Sequence, residues 1–568
     1  MKHFKKFISK IFTVDVLAWL FPVLLIVPNI ALAITEQDAV LAKATDIILP
    51  LGVYYIIMSL STAVGRTVLF CLPLMIFAAF QIVLLYLYGE SIIAIDMYLN
   101  IVTTNPGEVA ELLGNLLIAI ATIVIIYVPV IIWSTISMFR QQRCGKKVLR
   151  RCRISGIVMS AVGLLLLVAC YATSDRYSLR RNIFPVNVIA NMVDAVNRTI
   201  DTSRYHNTSA EYSYESVATH PRDIREVYVL VIGETSRADN WQLFGYDRPT
   251  NPMLSKRDGI IKFPKTLTES NTTHKSVPML LSPLDASTFG DSIYSTKGIF
   301  AAFNEAGFNT AFFSNQQRNR SFIDFFGAQA QVSDYIKDKN PLADDLNLVD
   351  ILSNFITTSP GDKLFIALHT YGSHFNYHER YDKRFRRFVP DNASEASIQN
   401  RSQLVNAYDN TILYTDYLLD SIVTCLDSLG VPAALIYTSD HGEDIFDDER
   451  ERFLHASPTP TFTQIHVPLL IWTSRAYNDA FPQIAANAES NSDKNVSSSR
   501  SLFSTILALA GIATPKYDTT ADLCSKYFRE TPRIYLNDYN EAVTLREAGF
   551  RRQDIKNSQT NNINIGEK

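Results

Sequence analysis

The chain has 568 residues, of which 47% are hydrophobic and 19% charged. A soluble globular protein carries roughly 25% charged residues, and the deficit lies in the first 172 residues, which hold 13 basic and 8 acidic side chains. The rest is mildly acidic. This composition excludes a disordered chain, a collagen-like fibre, a small disulfide scaffold and a general nucleic-acid binder, which needs a basic globular domain.

Five uncharged apolar runs follow one another in the first third of the chain. They cover 16–34, 47–65, 67–88, 116–139 and 154–172. Each is close to the ~20 residues with which a helix crosses the hydrocarbon layer of a bilayer. We therefore predict a five-helix transmembrane domain over residues 1–175. The first run follows a basic segment, as in a secretory signal, but its length favours an uncleaved anchor.

The charges between these runs set the predicted orientation. Four lysines precede the first run, Arg66 separates the second from the third, and seven basic residues lie within 140–153. The remaining loops carry mostly acidic side chains. Because basic loops stay in the cytoplasm, we expect a cytoplasmic N-terminus, a bacterial inner-membrane location and a periplasmic C-terminal part.

Residues 176–225 are predicted to connect the membrane domain to a soluble one. Their first half, about 182–200, has apolar residues at helical spacing, which indicates an amphipathic helix on the outer membrane surface or an ordinary packed helix. The rest looks like an extended linker. We expect a soluble catalytic domain over 226–556 and a disordered tail over 557–568. Cys425 and Cys524 could form a disulfide or remain buried thiols.

Short β-rich runs alternate with longer helical segments from residue 226 onward. The runs cover 227–232, 310–313, 364–368, 434–437 and 467–472. Nearly continuous apolar strands separated by helices are typical of an α/β sheet covered on both faces. In such sheets the ligand lies beyond the carboxyl ends of the strands.

Polar side chains that can bind metals follow several of these strands. Glu234 follows the first run, His374 follows the third, and Asp440 and His441 follow the fourth, with His455 further along. One Asp-His pair would be weak evidence, since such pairs are common at surfaces. Several oxygen and imidazole ligands at one sheet edge are stronger evidence, and mixed nitrogen and oxygen ligands suit Zn²⁺.

A cluster of hydroxyl side chains lies at 268–278, between the first and second runs. A hydroxyl becomes a good nucleophile only when a base or a metal lowers its pKa. The same cluster could simply cap a helix. The two interpretations are compatible, because a helix N-terminus also favours an incoming phosphate.

Together these motifs resemble one enzyme family. They are Gly-Glu-Thr-Ser-Arg at 233–237, Gly-Tyr-Asp-Arg at 245–248, a threonine before Ser-Val-Pro at 276–278, the segment 369–374 and Ser-Asp-His-Gly-Glu at 439–443. They resemble the lipid phosphoethanolamine transferases of Gram-negative bacteria, inner-membrane enzymes with an α/β/α alkaline-phosphatase/sulfatase-like catalytic domain. The resemblance covers nearly the whole chain, including the five-helix membrane domain.

The resemblance implies a set of site residues. Thr273, rather than Thr272, corresponds to the nucleophile. The implied zinc ligands are Glu234, Thr273, Asp440 and His441. The positions of a second metal or the substrate phosphate are His374, His455 and, with a less defined role, His466. Positions implied to contact the headgroup of the lipid donor are Asn100, Thr104, Glu108 and Arg320, although the first three could belong to an ordinary polar loop.

The implied activity is transfer of phosphoethanolamine from phosphatidylethanolamine to lipid A or another lipopolysaccharide or glycan acceptor, through a covalent threonine intermediate. Such a modification gives resistance to cationic peptides such as polymyxin. We expect a monomer that does not bind nucleic acid. A phosphoglycerol transferase or phosphatase of the same fold remains an alternative, and so does a metal-binding sensor or scaffold. Met279 stands where relatives often have cysteine, which leaves the subfamily open. A sulfatase is disfavoured because no formylglycine motif lies near Thr273.

Overall fold

The computed structural model describes residues 13–36, 38–88, 93–103, 116–174 and 177–566, with the backbone alone for 87–88, 100–103 and 117. The described residues up to Val102 and from 116 to Arg198 form one compact unit, and those from Thr199 form another.

The first unit is helical. Its helices are α1 Val14–Leu25, α2 Val27–Thr35, α3 Val40–Met58, α4 Val64–Phe70, α5 Leu72–Tyr88, α6 Ile95–Thr103, α7 Leu117–Phe139, α8 Lys146–Thr173, α9 Leu179–Asn182 and α10 Val186–Ser203. Among the described residues, four spans are long and apolar enough to cross a membrane, namely α1 with α2, α3, α7 and α8. The pair α4 and α5, bent by 55°, makes a fifth if it is one span. The five predicted apolar segments are therefore helical, as expected.

Two predicted boundaries in this unit are wrong. The helix predicted for the second run does not extend to residue 65, because α3 ends at Met58 and α4 begins at Val64. Arg66 therefore lies within α4 and not in a loop between spans. The fifth helix begins at Lys146 rather than at 154, so the last basic residues of the 140–153 segment form its first two turns. Long basic side chains can extend their charge into water from a helix end, which the hydropathy pattern does not capture.

Helix α10 has an apolar face turned outward. Its inward face holds the buried side chains of Asn187 and Asn191, and Asn191 Nδ2 donates to the Ile93 carbonyl at 2.8 Å. Val193 and Val196, by contrast, are 49% and 53% exposed. Val188 and Ala195 are buried beside the two asparagines, so apolar side chains lie on both faces of this helix.

The second unit contains a seven-stranded sheet. Its strands are β2 Glu226–Gly233, β3 Ile260–Lys262, β5 Asn309–Ser314, β6 Val332–Tyr335, β7 Lys363–His369, β8 Ala433–Ser439 and β11 Leu469–Thr473, in the spatial order β3-β11-β8-β2-β7-β5-β6. The strands from β8 to β6 are parallel, whereas β11 is antiparallel to β8 and β3. All five predicted strands are confirmed.

Alternate residues of each strand enter two separate cores. On β2, Tyr228, Leu230 and Ile232 pack into one core, and Val227 and Val229 pack into the other. Helices cover both faces, and they include α12 Thr273–Leu280, α16 Asn347–Thr358, α17 Arg401–Asp427, α20 Pro482–Asn491 and α21 Ser498–Leu509. Each fully buried large apolar side chain contributes about 1.5–3 kcal/mol. The predicted α/β/α architecture is confirmed.

Further helices and strands complete this unit. The helices are α11 Tyr205–Thr208, α13 Ile299–Glu305, α14 Phe322–Gly327, α15 Ile336–Lys339, α18 Phe462–Ile465, α19 Arg475–Ala480 and α22 Arg552–Thr560. The strands are β1 Val217–Ala218, β4 Thr266–Leu267, β9 Asp444–Ile445, β10 Phe453–Leu454, β12 Val496–Ser497, β13 Ile512–Ala513, β14 Ile534–Leu536 and β15 Ala542–Thr544.

The segments predicted as linker and tail are both packed against this unit. Tyr205 and Tyr214 are buried in its core, and β1 pairs with β13, so the segment after α10 is not a free linker. At the other end, Ser558 and Ile563 are buried, so the prediction of a disordered tail is wrong for the described residues up to 566. All six cysteines of the chain, including Cys425 and Cys524, are free thiols.

Candidate active site

The site begins at the carboxyl ends of two neighbouring strands. Gly233 at the end of β2 is in register with Ser439 at the end of β8, so Glu234 and Asp440 follow at the same edge. The backbone N–H of Thr235 donates to Asp440 Oδ1 at 3.0 Å. Thr235 has a φ of 60°, a left-handed conformation that is uncommon for a non-glycine residue and is typical of functional sites.

Thr273 is the first residue of α12, and Thr272 is its N-cap. Thr273 Oγ1 lies 3.0 Å from His441 Nε2 and 3.3 and 3.5 Å from the two carboxylate oxygens of Glu234. Thr272 Oγ1 instead lies 3.1 Å from Ser270 Oγ. Of the two adjacent threonines, only Thr273 directs its hydroxyl into the carboxylate and imidazole cluster.

The imidazole of His441 is oriented by its own loop. Its Nδ1 donates to the Gly442 carbonyl at 2.9 Å, which leaves the lone pair of Nε2 directed at Thr273. Gly442 is needed here, because a Cβ at this position would lie 2.1 Å from the Thr463 carbonyl oxygen. On the other side, Asp440 Oδ2 lies 3.2 Å from His441 Nε2.

Burial perturbs the pKa of every ionisable group in this cluster. Burial and the neighbouring Asp440 raise the pKa of Glu234 to about 7, and burial raises the pKa of Asp440 to about 6. Burial and the nearby His455 lower the pKa of His441 to about 3. His441 is therefore neutral at physiological pH and available as a ligand.

These side chains fit a divalent metal ion. Ligand atoms of Glu234, His441 and His455 all lie within 4.8 Å of one another. Asp440 Oδ2 is buried and accepts no hydrogen bond from the part of the chain that the structure describes, as expected of an oxygen kept for a cation. Two carboxylates and a neutral imidazole form the mixed oxygen and nitrogen donor set that suits Zn²⁺.

A second group of side chains surrounds His455. Its ring centroid lies 4.2 Å from that of His441 and 5.9 Å from that of His374. His455 Nδ1 lies 3.3 Å from Glu443 Oε1, and Tyr377 donates to Glu443 Oε2 at 2.8 Å. Burial alone lowers the pKa of His455, but the hydrogen bond and charge of Glu443 outweigh burial and raise the pKa above its ordinary value.

His374 differs from His455 in its protonation. Its Nδ1 donates to the Phe375 carbonyl at 2.6 Å. Burial and the charge of His455 hold the pKa of His374 well below its usual range. The two imidazoles thus pair a neutral ring with one that holds its proton more readily.

Two predicted residues do not join this cluster. His466 lies with Nδ1 2.9 Å from Asp239 Oδ2 and Nε2 3.0 Å from the Pro264 carbonyl oxygen. Both of its nitrogens are therefore engaged elsewhere. Arg320 is exposed in the loop before α14. The side chain of Asn100 and the whole of Thr104 and Glu108 lie outside the described residues.

Gln316 is a functional residue that the sequence analysis missed. Its Nε2 donates to Glu234 Oε2 at 3.0 Å and to the Thr370 carbonyl at 2.9 Å. The signal was present, because Gln316 follows the end of β5 as Glu234 follows the end of β2. Glu443 was likewise part of a quoted motif but received no role.

Comparisons with known proteins identify one matching family model and several relatives. The family model described as Sulfatase matches residues 226–512. Phosphoethanolamine transferase EptA of Salmonella typhimurium is 30% identical over 387 residues, which cover 65% of this chain and 70% of that protein. The proteins of the same name from Escherichia coli are 32% identical over 53% of this chain and 56% of their own length.

Two solved structures have a similar fold. The integral membrane protein lipooligosaccharide phosphoethanolamine transferase A of Neisseria meningitidis gives a TM-score of 0.69 at 21% identity, over 89% of this chain and 97% of that chain. The C-terminal periplasmic domain of EcEptC from Escherichia coli, in complex with Zn, gives a TM-score of 0.53 at 24% identity, over 60% of this chain and 97% of that chain.

Proposed function

Because the chain belongs to the sulfatase family and, within it, to the phosphoethanolamine transferases, we propose that it transfers phosphoethanolamine between lipids through a covalent intermediate on Thr273. The donor is phosphatidylethanolamine, and the acceptor is lipid A or another lipopolysaccharide or glycan group. The observation that carries this proposal is the position of Thr273 Oγ1, 3.0 Å from His441 Nε2 and 3.3 Å from Glu234 Oε1.

Activation of the nucleophile depends on Glu234. Its carboxylate oxygens lie 3.3 and 3.5 Å from the Thr273 hydroxyl, within reach of the proton that the hydroxyl gives up. Gln316 holds the carboxylate in place from the other side. A Zn²⁺ ion held by Glu234, Asp440 and His441 would supply Lewis acidity that lowers the pKa of the hydroxyl and offsets charge on the phosphate.

The first half-reaction exchanges one phosphoester bond for another. Thr273 Oγ1 forms a bond to the phosphorus of the donor, and the bond from phosphorus to the diacylglycerol oxygen breaks. The departing oxygen takes its proton from water, while His455, oriented by Glu443, stays available as a metal ligand. His374, whose Nδ1 donates to the Phe375 carbonyl, presents an unprotonated Nε2, the form in which an imidazole would hold a second metal ion near the phosphate.

The second half-reaction transfers the group to the acceptor. A hydroxyl or phosphate oxygen of the acceptor forms a bond to the phosphorus, and a hydroxyl acceptor gives its proton to water. The bond from phosphorus to Thr273 Oγ1 breaks, and Glu234 returns to that oxygen the proton it accepted. The acceptor gains an ammonium group, which offsets an anionic phosphate and weakens the binding of cationic peptides such as polymyxin. The apolar helices of the first unit support an inner-membrane location, with the catalytic unit in the periplasm and the N-terminus in the cytoplasm.

Mass spectrometry of the full-length protein tests the proposal directly. After incubation with phosphatidylethanolamine, we expect a phosphoethanolamine adduct on the peptide that contains Thr273, together with released diacylglycerol. Thr273→Ala should abolish both. Thr272→Ala is the matched control, because its hydroxyl contacts Ser270 instead, and it should retain the adduct.

Other adducts would identify the competing reactions. A phosphoglycerol or bare phosphate adduct on Thr273 would refute the transfer of phosphoethanolamine and indicate a different group transfer on the same fold. Lipid A profiles of cells with and without the gene then test the acceptor.

A further inference from the structure

Asn271 lies two residues before the proposed nucleophile, and its side chain is buried with both of its N–H donors and its oxygen in hydrogen bonds. Its Nδ2 donates to the Ser457 carbonyl at 2.8 Å and to Gln464 Oε1 at 2.7 Å. Its Oδ1 accepts from the Tyr535 hydroxyl at 2.6 Å. The amide thus joins the nucleophile segment to two others that are distant in sequence.

One of these segments carries His455 in a strained backbone. Leu454 and Ala456, on either side of it, have φ values of 71° and 59°. Such left-handed conformations are unfavourable for non-glycine residues and persist only where the surroundings enforce them. Here the Ala456 N–H donates to the Asn271 carbonyl at 3.2 Å, and Gln464 Nε2 donates to the Leu454 carbonyl at 3.2 Å.

Gln464 is anchored in turn. Its Nε2 also donates to the buried Asp444 at 2.8 Å, and its backbone carbonyl accepts from the Gly442 N–H at 2.8 Å. We call Asn271 and Gln464 the carboxamide clasp. Through its side chains the clasp connects the segment of Thr273 to Leu454 and Ser457 on either side of His455, and the main-chain carbonyl of Asn271 adds the bond to Ala456.

We propose that the carboxamide clasp is a positioning device for the transfer reaction, and that Asn271 acts on catalysis through His455. Asn271 touches neither substrate nor metal ligand atoms, so its contribution is the placement of the imidazole relative to Thr273. The kinetic part of this inference rests on the proposed function. Mutation of residues that hold a metal-ligating side chain in place typically changes activity or metal affinity by about 10- to 100-fold.

The test uses Asn271→Ala in the full-length protein. We expect kcat for phosphoethanolamine transfer to fall roughly 10- to 100-fold with KM unchanged, and the affinity of the metal-stripped protein for Zn²⁺ to fall by a similar factor. Should this variant not fold, Asn271→Asp preserves the volume and the acceptor for Tyr535 while it removes both donors. The same losses are expected from it.

A double-mutant cycle with His455→Ala separates positioning from general stability. If Asn271 acts through His455, the double variant should match His455→Ala alone in kcat and in Zn²⁺ affinity. If the fold loss of the double variant equals the product of the losses of the two single variants, the proposal is overturned. The matched control is Asn491→Ala, another buried amide that donates to two carbonyls, of Leu523 and Ser525, at 2.8 and 2.9 Å. It should lower the melting temperature but leave kcat and Zn²⁺ affinity unchanged.

Failure of the proposed function has a different signature. A wild-type protein that transfers no phosphoethanolamine would refute the function, and the clasp would then be judged by the Zn²⁺ cycle alone. Weaker Zn²⁺ binding by Asn271→Ala in the wild-type background, absent in the His455→Ala background, supports the clasp. Equal weakening in both backgrounds refutes it.

Discussion

Protons should compete with zinc for the candidate site over the physiological pH range. The pKa of Glu234 is raised to about 7 and that of Asp440 to about 6. Metal binding requires both carboxylates to be ionised, and the raised pKa values mean that the metal-free protein holds these protons well above the pH at which free carboxylic acids lose them. Affinity should therefore rise with pH and level off above the higher pKa.

The size of this effect follows from the two ionised fractions. Between pH 7.5 and 5.5 the ionised fraction falls roughly 25-fold for Glu234 and roughly 4-fold for Asp440, which together weaken zinc binding about 100-fold. His455, whose pKa is also raised, adds to the loss. Two carboxylic acids with ordinary pKa values near 4 would produce almost no change over the same range.

Competition with a chromogenic chelator, corrected for the chelator's own protonation, measures this affinity on the metal-stripped full-length protein. Glu234→Gln removes the larger contribution and should leave a much shallower pH dependence. Asp416→Asn is the matched control, because the pKa of Asp416 is likewise raised to about 7 by burial but the group accepts from the N–H groups of Met253 and Leu254. A change of less than threefold in the wild-type affinity would refute the reasoning.

Three further substitutions test the surroundings of the site, each by thermal unfolding of the full-length protein. Gly372→Ala should cost about 1–3 kcal/mol and lower activity, because φ is +54° and the new Cβ would lie 2.7 Å from the Glu234 carbonyl oxygen. An unchanged melting temperature would contradict this. Phe303→Ala should lower the free energy of unfolding by about 3–5 kcal/mol, because the ring of Phe303 is fully buried and its centroid lies 3.9 Å from that of Phe365. A loss below 1 kcal/mol would contradict this and would mean that neighbouring side chains move into the cavity. The pKa of His466 is raised because Asp239 outweighs the opposing effect of burial. The His466–Asp239 pair therefore stabilises the fold fully at pH values below the pKa of His466 in the unfolded chain. This stabilisation is lost as the pH rises through the pKa of His466 in the folded protein. His466→Gln should therefore destabilise more at pH 6 than at pH 9, and an equal loss at both would refute the charge pair.

The strands and the main cluster could be predicted because they depend on local patterns. A parallel strand buried on both faces is a nearly continuous apolar run, and polar residues directly after such runs must meet at one edge of the sheet. Glu234, Asp440 and His441 satisfy this rule, and so does Gln316. The rule says which residues approach one another, and it identifies no hydrogen-bond partner.

Hydrogen bonds between residues that are far apart in the chain could not be predicted from the sequence. His466, which directly precedes Val467 and Pro468, corresponds to a family position, yet Asp239 and the Pro264 carbonyl engage both of its nitrogens. Neither contact has a signal within the sequence around His466. The predictions of a linker and a disordered tail were wrong for a related reason. Both segments are mostly polar, and the few residues that pack against the unit, such as Tyr214 and Ile563, do not stand out in their composition.

The unpaired cysteines have a consequence for how this protein matures. The second unit contains only Cys425 and Cys524, and both are free thiols. The nucleophile segment is held instead by hydrogen bonds such as that between Asn271 and Tyr535. Folding of the catalytic unit thus requires no oxidant and no disulfide isomerase. A strain that lacks thiol-oxidising enzymes should produce the active protein as well as its parent does.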